Sequence, residues 1–264
     1  MILRILLPFF IVVSLFAKNE DWRSNIDFKI EAGLFLANYG GDISNTSSKA
    51  DFENDLNFDR SSVSYFSLEN KFNYDYIPNL YISYLSLRKK ADTTLARDLK
   101  ITNNTFLAGV KTSSIVEYSS INAIVYQDFM IKGTSASVYG SKFYPGDIEF
   151  NIGLNIKKLD YKYNIQDKDD SSKPISWIKV NEFIPLPYFG FKYYRYNVII
   201  YGDISAISYN EAKTISAQIA LDYRVVHSIY LSCGYLYEKF DVVEKDDTVV
   251  FGMSGLKFSV KYKF

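Results

Sequence analysis

The strongest constraint on the fold is a period of two that runs through the last stretch of the chain, LKFSVKYKF. One parity carries Leu256, Phe258, Val260, Tyr262 and Phe264, and the other carries Lys257, Ser259, Lys261 and Lys263. Successive side chains of a β-strand point to opposite faces, so this segment would have one apolar and one cationic face. A soluble sheet packed on a core satisfies that pattern. A barrel wall with lipid outside and polar side chains inside satisfies it equally well.

The same alternation recurs along the chain and predicts about ten strands. The clearest copies are DIEFNIGLNIKK (147–158) and TISAQIALDYR (214–224), whose lengths match the roughly nine to eleven residues of a tilted transmembrane strand. Weaker copies occupy 26–37, 62–76, 80–90, 115–129, 187–195, 197–208, 228–240 and 252–264. The long connection 130–146 could hold one more hairpin, so twelve strands remain an alternative.

The first 17 residues have the order of a secretory signal peptide. Arg4 precedes the apolar run Ile5–Phe16, and the small residue Ala17 stands before a polar stretch. The run is too short to span a bilayer as a helix. We therefore expect residues 1–17 to be removed on export and residues 18–264 to form a single domain. An uncleaved apolar segment is the alternative.

Composition is compatible with a transmembrane barrel and incompatible with helical membrane spans. No second long apolar stretch occurs, and the mean hydropathy is −0.08, but each barrel strand averages a lipid face with a lumen face. Aromatic residues make up 17% of the chain, with 23 Tyr and 20 Phe, as the interfacial girdles of a barrel wall require. Thirty basic and thirty acidic residues cancel, so no net field would recruit nucleic acid.

Short and long connections alternate. IPN (77–79), RYN (195–197) and VVHS (225–228) are tight, whereas the polar segments 38–61, 91–114, 164–186 and 241–250 are long. Outer-membrane barrels have short periplasmic turns and long outer loops. The sequence therefore predicts an all-β fold, a closed antiparallel transmembrane β-barrel with both termini in the periplasm.

No arrangement of residues in the sequence indicates catalysis. A barrel hydrolase needs a histidine beside its nucleophile, and the sole histidine, His227, falls in a predicted periplasmic turn. The acidic runs at 166–172 and 244–247 lack the glycine and terminal glutamate of a calcium loop. The single cysteine, Cys233, lies on the apolar parity of its strand. We expect no catalytic residue, no metal site and no cofactor.

The last strand resembles the terminal recognition signal of bacterial outer-membrane barrels. The resemblance rests on polar Lys257, apolar Tyr262 and terminal Phe264, with Ser259 where glycine is usual. It implies that these residues serve as an assembly signal for the barrel-insertion machinery.

More specifically, residues from about 25 to 264 resemble the proteobacterial outer-membrane barrel family named for a Gly-Gly pair. The segments that carry this resemblance are GLFLANYGGDI with Gly40 and Gly41, DIEFNIGLNIKKLDY, IPLPYFGFKYY, GDISAISYNE and CGYLYEKFDV. The family implies an outer-membrane location and a barrel fold, and it has no agreed substrate.

Closure of the barrel requires the first strand to pair with the last, because an open edge in lipid leaves backbone groups unsatisfied. That pairing brings together the inward charges Asp27, Lys29, Glu31, Lys257, Lys261 and Lys263. We expect Asp27 near Lys261 or Lys263, and Glu31 near Lys257 or its neighbour, as inward ion pairs that help to set the closing register. An anion-binding cluster is the alternative reading of these lysines.

The predicted protein is an integral outer-membrane barrel of a Gram-negative bacterium with a narrow, charge-lined lumen. Other charges on the lumen parity are Glu149, Lys157, Lys192, Asp222, Arg224 and Glu238. A structural or surface role and a small-solute pore both remain open. Expected partners are outer-membrane lipid and lipopolysaccharide, with no nucleic acid, and the oligomeric state stays open. The alternative function is a soluble periplasmic barrel that binds an apolar ligand.

Overall fold

The computed structural model describes residues 26–45, 48–72, 77–101, 104–134, 136–138, 141–143, 145–170, 175–209, 212–244 and 247–264. The predicted signal peptide lies outside these residues. Ten strands are long: β1 (Ile26–Ser44), β3 (Ser61–Phe72), β4 (Asn79–Thr94), β7 (Lys111–Ile131), β10 (Asp147–Asp167), β11 (Ser176–Arg195), β12 (Val198–Tyr209), β13 (Ala212–Val226), β14 (Ile229–Glu244) and β15 (Asp247–Lys263). Five are short: β2 (Lys49–Asp51), β5 (Leu99–Ile101), β6 (Asn104–Phe106), β8 (Ala136–Val138) and β9 (Ser141–Phe143). The described part of the chain contains no helical segment with the length and hydropathy that a bilayer crossing requires.

The ten long strands form one closed antiparallel barrel. Each pairs with its neighbours in the order of the chain, and β1 pairs with β15 from Lys29↔Lys263 to Ser44↔Thr248. The predicted ten-stranded barrel is therefore confirmed. The twelve-stranded alternative is wrong, because β8 and β9 pair with each other in a separate two-stranded sheet.

The two ends of the barrel differ. The start of β1 and the end of β15 lie at the same end as the tight turns after Arg195 and Val226, which we call the turn end. We call the opposite end, which carries the connections around β2, β5 and β6, the loop end. The strands continue farther toward the loop end than the sequence predicts. β11 begins at Ser176 rather than near 187, so much of the predicted loop 164–186 is strand.

Because the strands are longer than predicted, the wall of the barrel is also taller than predicted. β10 has 21 residues, and at the usual rise such a strand is about 70 Å long, far more than the hydrocarbon requires. β14 and β15 extend to Glu244 and from Asp247, so the predicted long loop 241–250 is also mostly strand.

The side-chain pattern reverses along these strands. On β10, Ile148, Ile152, Leu154 and Ile156 face outward and are exposed, whereas Glu149, Asn151, Asn155 and Lys157 are buried in the lumen. Farther toward the loop end the buried residues are Leu159, Tyr161, Tyr163 and Ile165, and the outward positions carry Lys158, Asp160, Lys162 and Asn164. The barrel therefore has a turn-end tier that is apolar outside and polar inside, and a loop-end tier with the opposite arrangement.

The wall is lower at the hairpin β12–β13. The β11–β12 ladder ends at Tyr188↔Ser205, while the β10–β11 ladder continues to Ile165↔Ser176. Pro185 and Pro187 lie where β12 no longer pairs with β11. Proline has no N–H to donate, so it is tolerated at such a one-sided stretch of strand.

Candidate functional site

The lumen is the candidate site, and its turn-end tier collects charged side chains from many strands. The set comprises Lys29, Glu31, Glu69, Lys71, Asp128, Glu149, Lys157, Lys192, Asp203, Asp222, Glu238, Lys257 and Lys261. The alternation that turns apolar residues outward brings these charges inward. Six lysines face seven carboxylates in this set, so the charges nearly cancel. All of these residues except Asp203, which accepts from Gln218, fall into three clusters.

The closure cluster joins β1, β13 and β15. A carboxylate oxygen of Glu31 lies 3.1 Å from Lys257 Nζ and the other lies 3.9 Å from Lys261 Nζ. Lys261 Nζ also contacts Asp222 at 2.8 Å. The hydroxyl groups of Ser67, at 3.0 Å, and of Ser259 donate to Glu31. Glu31 therefore has two lysines and two hydroxyl groups around it.

The rim of this cluster lies at the turn end. Asp27 Oδ2 is 2.7 Å from Lys263 Nζ, and Lys29 Nζ points instead to Glu69 Oε2 at 2.9 Å. The first and last strands thus bring together the pairs expected from the sequence, Asp27 with Lys263 and Glu31 with Lys257.

A second cluster occupies the other side of the turn-end tier. Glu69 contacts Lys29 and Lys192, and Glu149 contacts Lys71 at 2.8 Å and Lys192 at 3.6 Å. The hydroxyl groups of two tyrosines complete it, because Tyr126 donates to Glu69 and Tyr194 donates to Glu149, each at 2.7 Å. Lys71 also reaches Asp128 at 2.9 Å.

The third cluster marks the boundary between the tiers. Lys157 Nζ lies 3.2 Å from Glu238 Oε1, and both side chains are buried. Tyr118 and Ser120 donate to the second carboxylate oxygen of Glu238. Beyond Lys157 toward the loop end, Leu159, Tyr161, Tyr163 and Ile165 of β10 belong to the apolar core.

Little open space remains among the clusters. A cavity of about 70 Å³ is bordered by Tyr81, Tyr188, Tyr201, Asp203, Gln218 and Lys261, among other residues, and a second one near Asn155 measures about 20 Å³. Tyr201 presents its ring to Lys261 Nζ at 4.1 Å from the centroid, a cation–π contact. The first cavity is large enough for a few waters or a very small solute.

The loop-end tier is filled by an apolar core built around Phe251. The ring centroid of Phe251 lies 5.2 Å from that of Tyr161, 5.4 Å from that of Phe52 and 5.6 Å from that of Phe240. All four side chains are buried. This core fills the lumen above the Lys157–Glu238 boundary.

The connection between β2 and β3 contributes to that core from above. Phe52, Leu56 and Phe58 are almost completely buried, so the predicted polar loop 38–61 is wrong in this part. Asp55 anchors the connection through the backbone N–H of Asp51 and the guanidinium of Arg97. Partial burial raises the pKa of Asp55, but these two donors outweigh it and hold the pKa below its usual value.

The predicted assembly-signal residues separate into two faces. Lys257 is buried in the lumen, whereas Tyr262 and Phe264 are exposed on the outside at the turn end. The rings of Tyr262 and Phe264 have centroids 4.7 Å apart, and Phe28 packs on Phe264 at 5.4 Å. The N–H of Phe264 donates to the carbonyl of Phe28 at 3.0 Å.

Four lumen residues were not predicted from the sequence, namely Glu69, Lys71, Asp128 and Asp203. Glu69 and Lys71 alternate with the apolar Phe66, Leu68 and Phe72 on the other parity of β3, and that alternation in the sequence indicated a lumen-facing position for both. Of the predicted charges, Arg224 lies at the rim and bonds the side chain of Asn197. His227 is exposed in the tight turn between β13 and β14.

No protein-family model matches the chain, and no curated protein matches it. Solved structures to which the chain is similar include the outer-membrane protease OmpT from Escherichia coli, which is 8% identical, with a TM-score of 0.52, covering 91% of this chain and 97% of that one. Neisserial surface protein A is 14% identical, with a TM-score of 0.35 and coverage of 90% and 97%. Ail of Yersinia pestis is 10% identical, with a TM-score of 0.32 and coverage of 89% and 99%. At these identities the likeness to OmpT shows the barrel fold alone.

Proposed function

We propose that the chain is an integral outer-membrane β-barrel of a Gram-negative bacterium. The observation that carries this proposal is the outer surface of the turn-end tier, where Leu34, Leu154, Phe189, Ile219 and Phe258 are exposed. Soluble monomers rarely expose a contiguous apolar surface of this extent, whereas lipid makes it favourable. The proposal includes a signal peptide over 1–17, the single domain 18–264, periplasmic termini, and membership of the Gly-Gly family. It also includes contact with lipopolysaccharide and the assembly-signal role of Lys257, Tyr262 and Phe264.

The soluble periplasmic barrel is less favoured, because it needs the apolar parity inward and the charges outward along the whole wall. Membrane fractionation tests the location. We expect the protein in the outer-membrane fraction after washing with high salt and carbonate. Recovery in the osmotic-shock supernatant would refute the proposal.

Within the membrane we propose a structural or surface role rather than a pore. The apolar core around Phe251 supports this role, together with the ion-paired charges of the turn-end tier. A conducting pore needs a continuous polar or water-filled path. The test is planar-bilayer recording on refolded protein, with insertion verified by protease protection and with a porin of known conductance as a parallel control. We expect no steady single-channel steps, and reproducible steps from the inserted protein would contradict the role.

We further propose that the barrel is not an enzyme. OmpT is described as a protease, but 8% identity transfers no activity to this chain. The sole histidine of the sequence lies in the exposed turn at 227, at the turn end of the barrel and so opposite the loop-end core. Hydrolysis of phospholipid, lipid A or peptide that is lost in His227→Asn would overturn this part of the proposal.

A further inference from the structure

On the outer wall, residues that are cross-strand partners form rows across neighbouring strands. Several lysines lie together in the rows just beyond the apolar surface. The strand registers align Tyr84, Ile121, Lys158 and Phe183 across β4, β7, β10 and β11 as one outward row. The next outward row toward the loop end is Ser86, Ser119, Asp160 and Asn181, and the one after it is Arg88, Glu117, Lys162 and Lys179. The first row is the last one with mostly apolar side chains, so these lysines lie at the loop-end edge of the lipid-facing surface.

Lys162 and Lys179 are direct cross-strand partners on the same face. Like charges placed directly opposite each other destabilise an antiparallel sheet. Glu117, the neighbour of Lys162 on the other side, is engaged by Arg88 at 3.1 Å. Repulsion between the two lysines therefore lowers the stability of the sheet at this place, and a bound anion would remove that repulsion.

Lys158 completes the group. Its Nζ lies 5.6 Å from the ring centroid of Phe183, a side chain that is 70% exposed. The positions of Lys158 and Lys162 are four residues apart on one face, about 14 Å along the strand, so two long side chains can converge on groups between them. We call Lys158, Lys162 and Lys179 the basic patch.

Several other outward cations of the described loop-end wall are paired with carboxylates, unlike those of the basic patch. Arg88 pairs with Glu117, Lys168 with Asp92 and Lys239 with Asp241. In the described ranges, no carboxylate lies within ion-pair distance of Lys158, Lys162 or Lys179. Asp160 stands between the two β10 lysines, so the patch with Asp160 has a charge of +2 (three lysines minus one aspartate).

We propose that the basic patch binds the phosphate groups of a phosphorylated lipid in the outer leaflet. The acyl chains of that lipid would lie on the apolar rows toward the turn end, along Ile156, Phe183 and Pro185, which face outward. Asn181, between the rows of the lysines, supplies a side-chain amide that can donate to a phosphate oxygen. This inference rests on the proposed outer-membrane location, since it needs the loop end of the wall at the outer leaflet.

The test uses the full mature chain in nanodiscs that contain lipid A in its bisphosphorylated form or in its dephosphorylated form. Native mass spectrometry then counts lipid A molecules retained per barrel. The variant is Lys158→Gln, Lys162→Gln, Lys179→Gln in one chain. The charge-matched control is Lys100→Gln, Lys111→Gln, Lys213→Gln, which removes three exposed lysines elsewhere on the described loop-end surface.

The wild-type protein and the control should retain the phosphorylated form in preference to the dephosphorylated form. The variant should lose about tenfold to a hundredfold of that preference, the size expected for three lysines near a membrane surface. Equal retention of both lipids by the wild-type protein, or complete displacement by millimolar inorganic phosphate, would overturn the inference. If the chain inserts and shows no preference, only this inference fails. If it is recovered as a soluble protein, the proposed function fails with it.

Discussion

Replacement of Glu31 by Gln isolates the contribution of the closure cluster. Glu31→Gln keeps the shape of the side chain and removes its charge. Lys261 retains Asp222 at 2.8 Å, but Lys257 loses its only carboxylate partner among the described residues. What remains around Lys257 Nζ is the amide oxygen of Gln218 at 3.1 Å, the hydroxyl of Tyr201 at 3.4 Å and the ring of Tyr65. Lys257 is 1% exposed, so the substitution creates a buried ammonium without a counter-charge.

Removal of one partner of a buried ion pair destabilises a protein by about 3–5 kcal/mol. Two further variants separate this effect from a general loss of packing. Lys257→Met in the Glu31→Gln background removes the uncompensated charge and should restore most of the stability. Glu117→Gln, which breaks the exposed pair with Arg88, should cost less than about 1 kcal/mol.

The measurement is urea unfolding in lipid vesicles, followed by tyrosine and tryptophan fluorescence, with folded protein verified by its heat-dependent shift on a gel. We expect the midpoint order wild type, Glu117→Gln, double variant, Glu31→Gln, from most to least stable. A Glu31→Gln midpoint equal to that of the wild type would refute the reasoning. So would a double variant that is less stable than Glu31→Gln alone.

Three further outcomes are expected. Gly41→Ala should lower the free energy of unfolding by about 1–3 kcal/mol, since Gly41 has φ +101° and an added Cβ would lie 2.0 Å from a carbonyl oxygen of β15. Gly40→Ala, which meets no atom within 4 Å, should change it by less than about 0.5 kcal/mol in the same unfolding assay. Phe251→Ala in the buried core should cost about 3–5 kcal/mol, and the outward Phe258→Ala of the same strand should cost clearly less. The lowered pKa of Asp55 means that its stabilisation is present at neutral pH and is lost as the pH falls below about 4, so pepsin should cut the connection after β2 increasingly over that range.

The turn-end tier of the wall was predictable from the sequence. On β10 the residues from Ile148 to Ile156 alternate because every outward position there is apolar and every inward position is polar or small. Over this whole segment the apolar parity faces outward and the other parity faces the lumen. The pairing of the first strand with the last followed from the need to satisfy backbone groups in lipid, and the register brings Glu31 opposite Lys261.

The loop-end tier was not predictable in the same way. Beyond Lys157 the alternation continues, but the apolar residues move to the other parity, at Leu159, Tyr161 and Tyr163. A search for one apolar parity ends at that change and assigns the rest to a loop. Phe52 and Phe58 follow no period at all, and their burial depends on the space that the assembled strands leave between them. That space is a tertiary property, which no local pattern encodes.

In the proposed outer-membrane location, the reversal of side-chain pattern along β10 makes the two tiers depend on different solvents for their stability. When the turn-end tier loosens within a bilayer, its outward side chains remain in hydrocarbon, so little apolar hydration accompanies the change. The core around Phe251 and Tyr161 would be hydrated on unfolding, which gives a large positive heat-capacity change and weakens its stability on cooling. In the proposed membrane location the molecule would join a part whose thermodynamics are set by lipid to a part that behaves like a water-soluble domain, and cold would loosen the second while leaving the first in place.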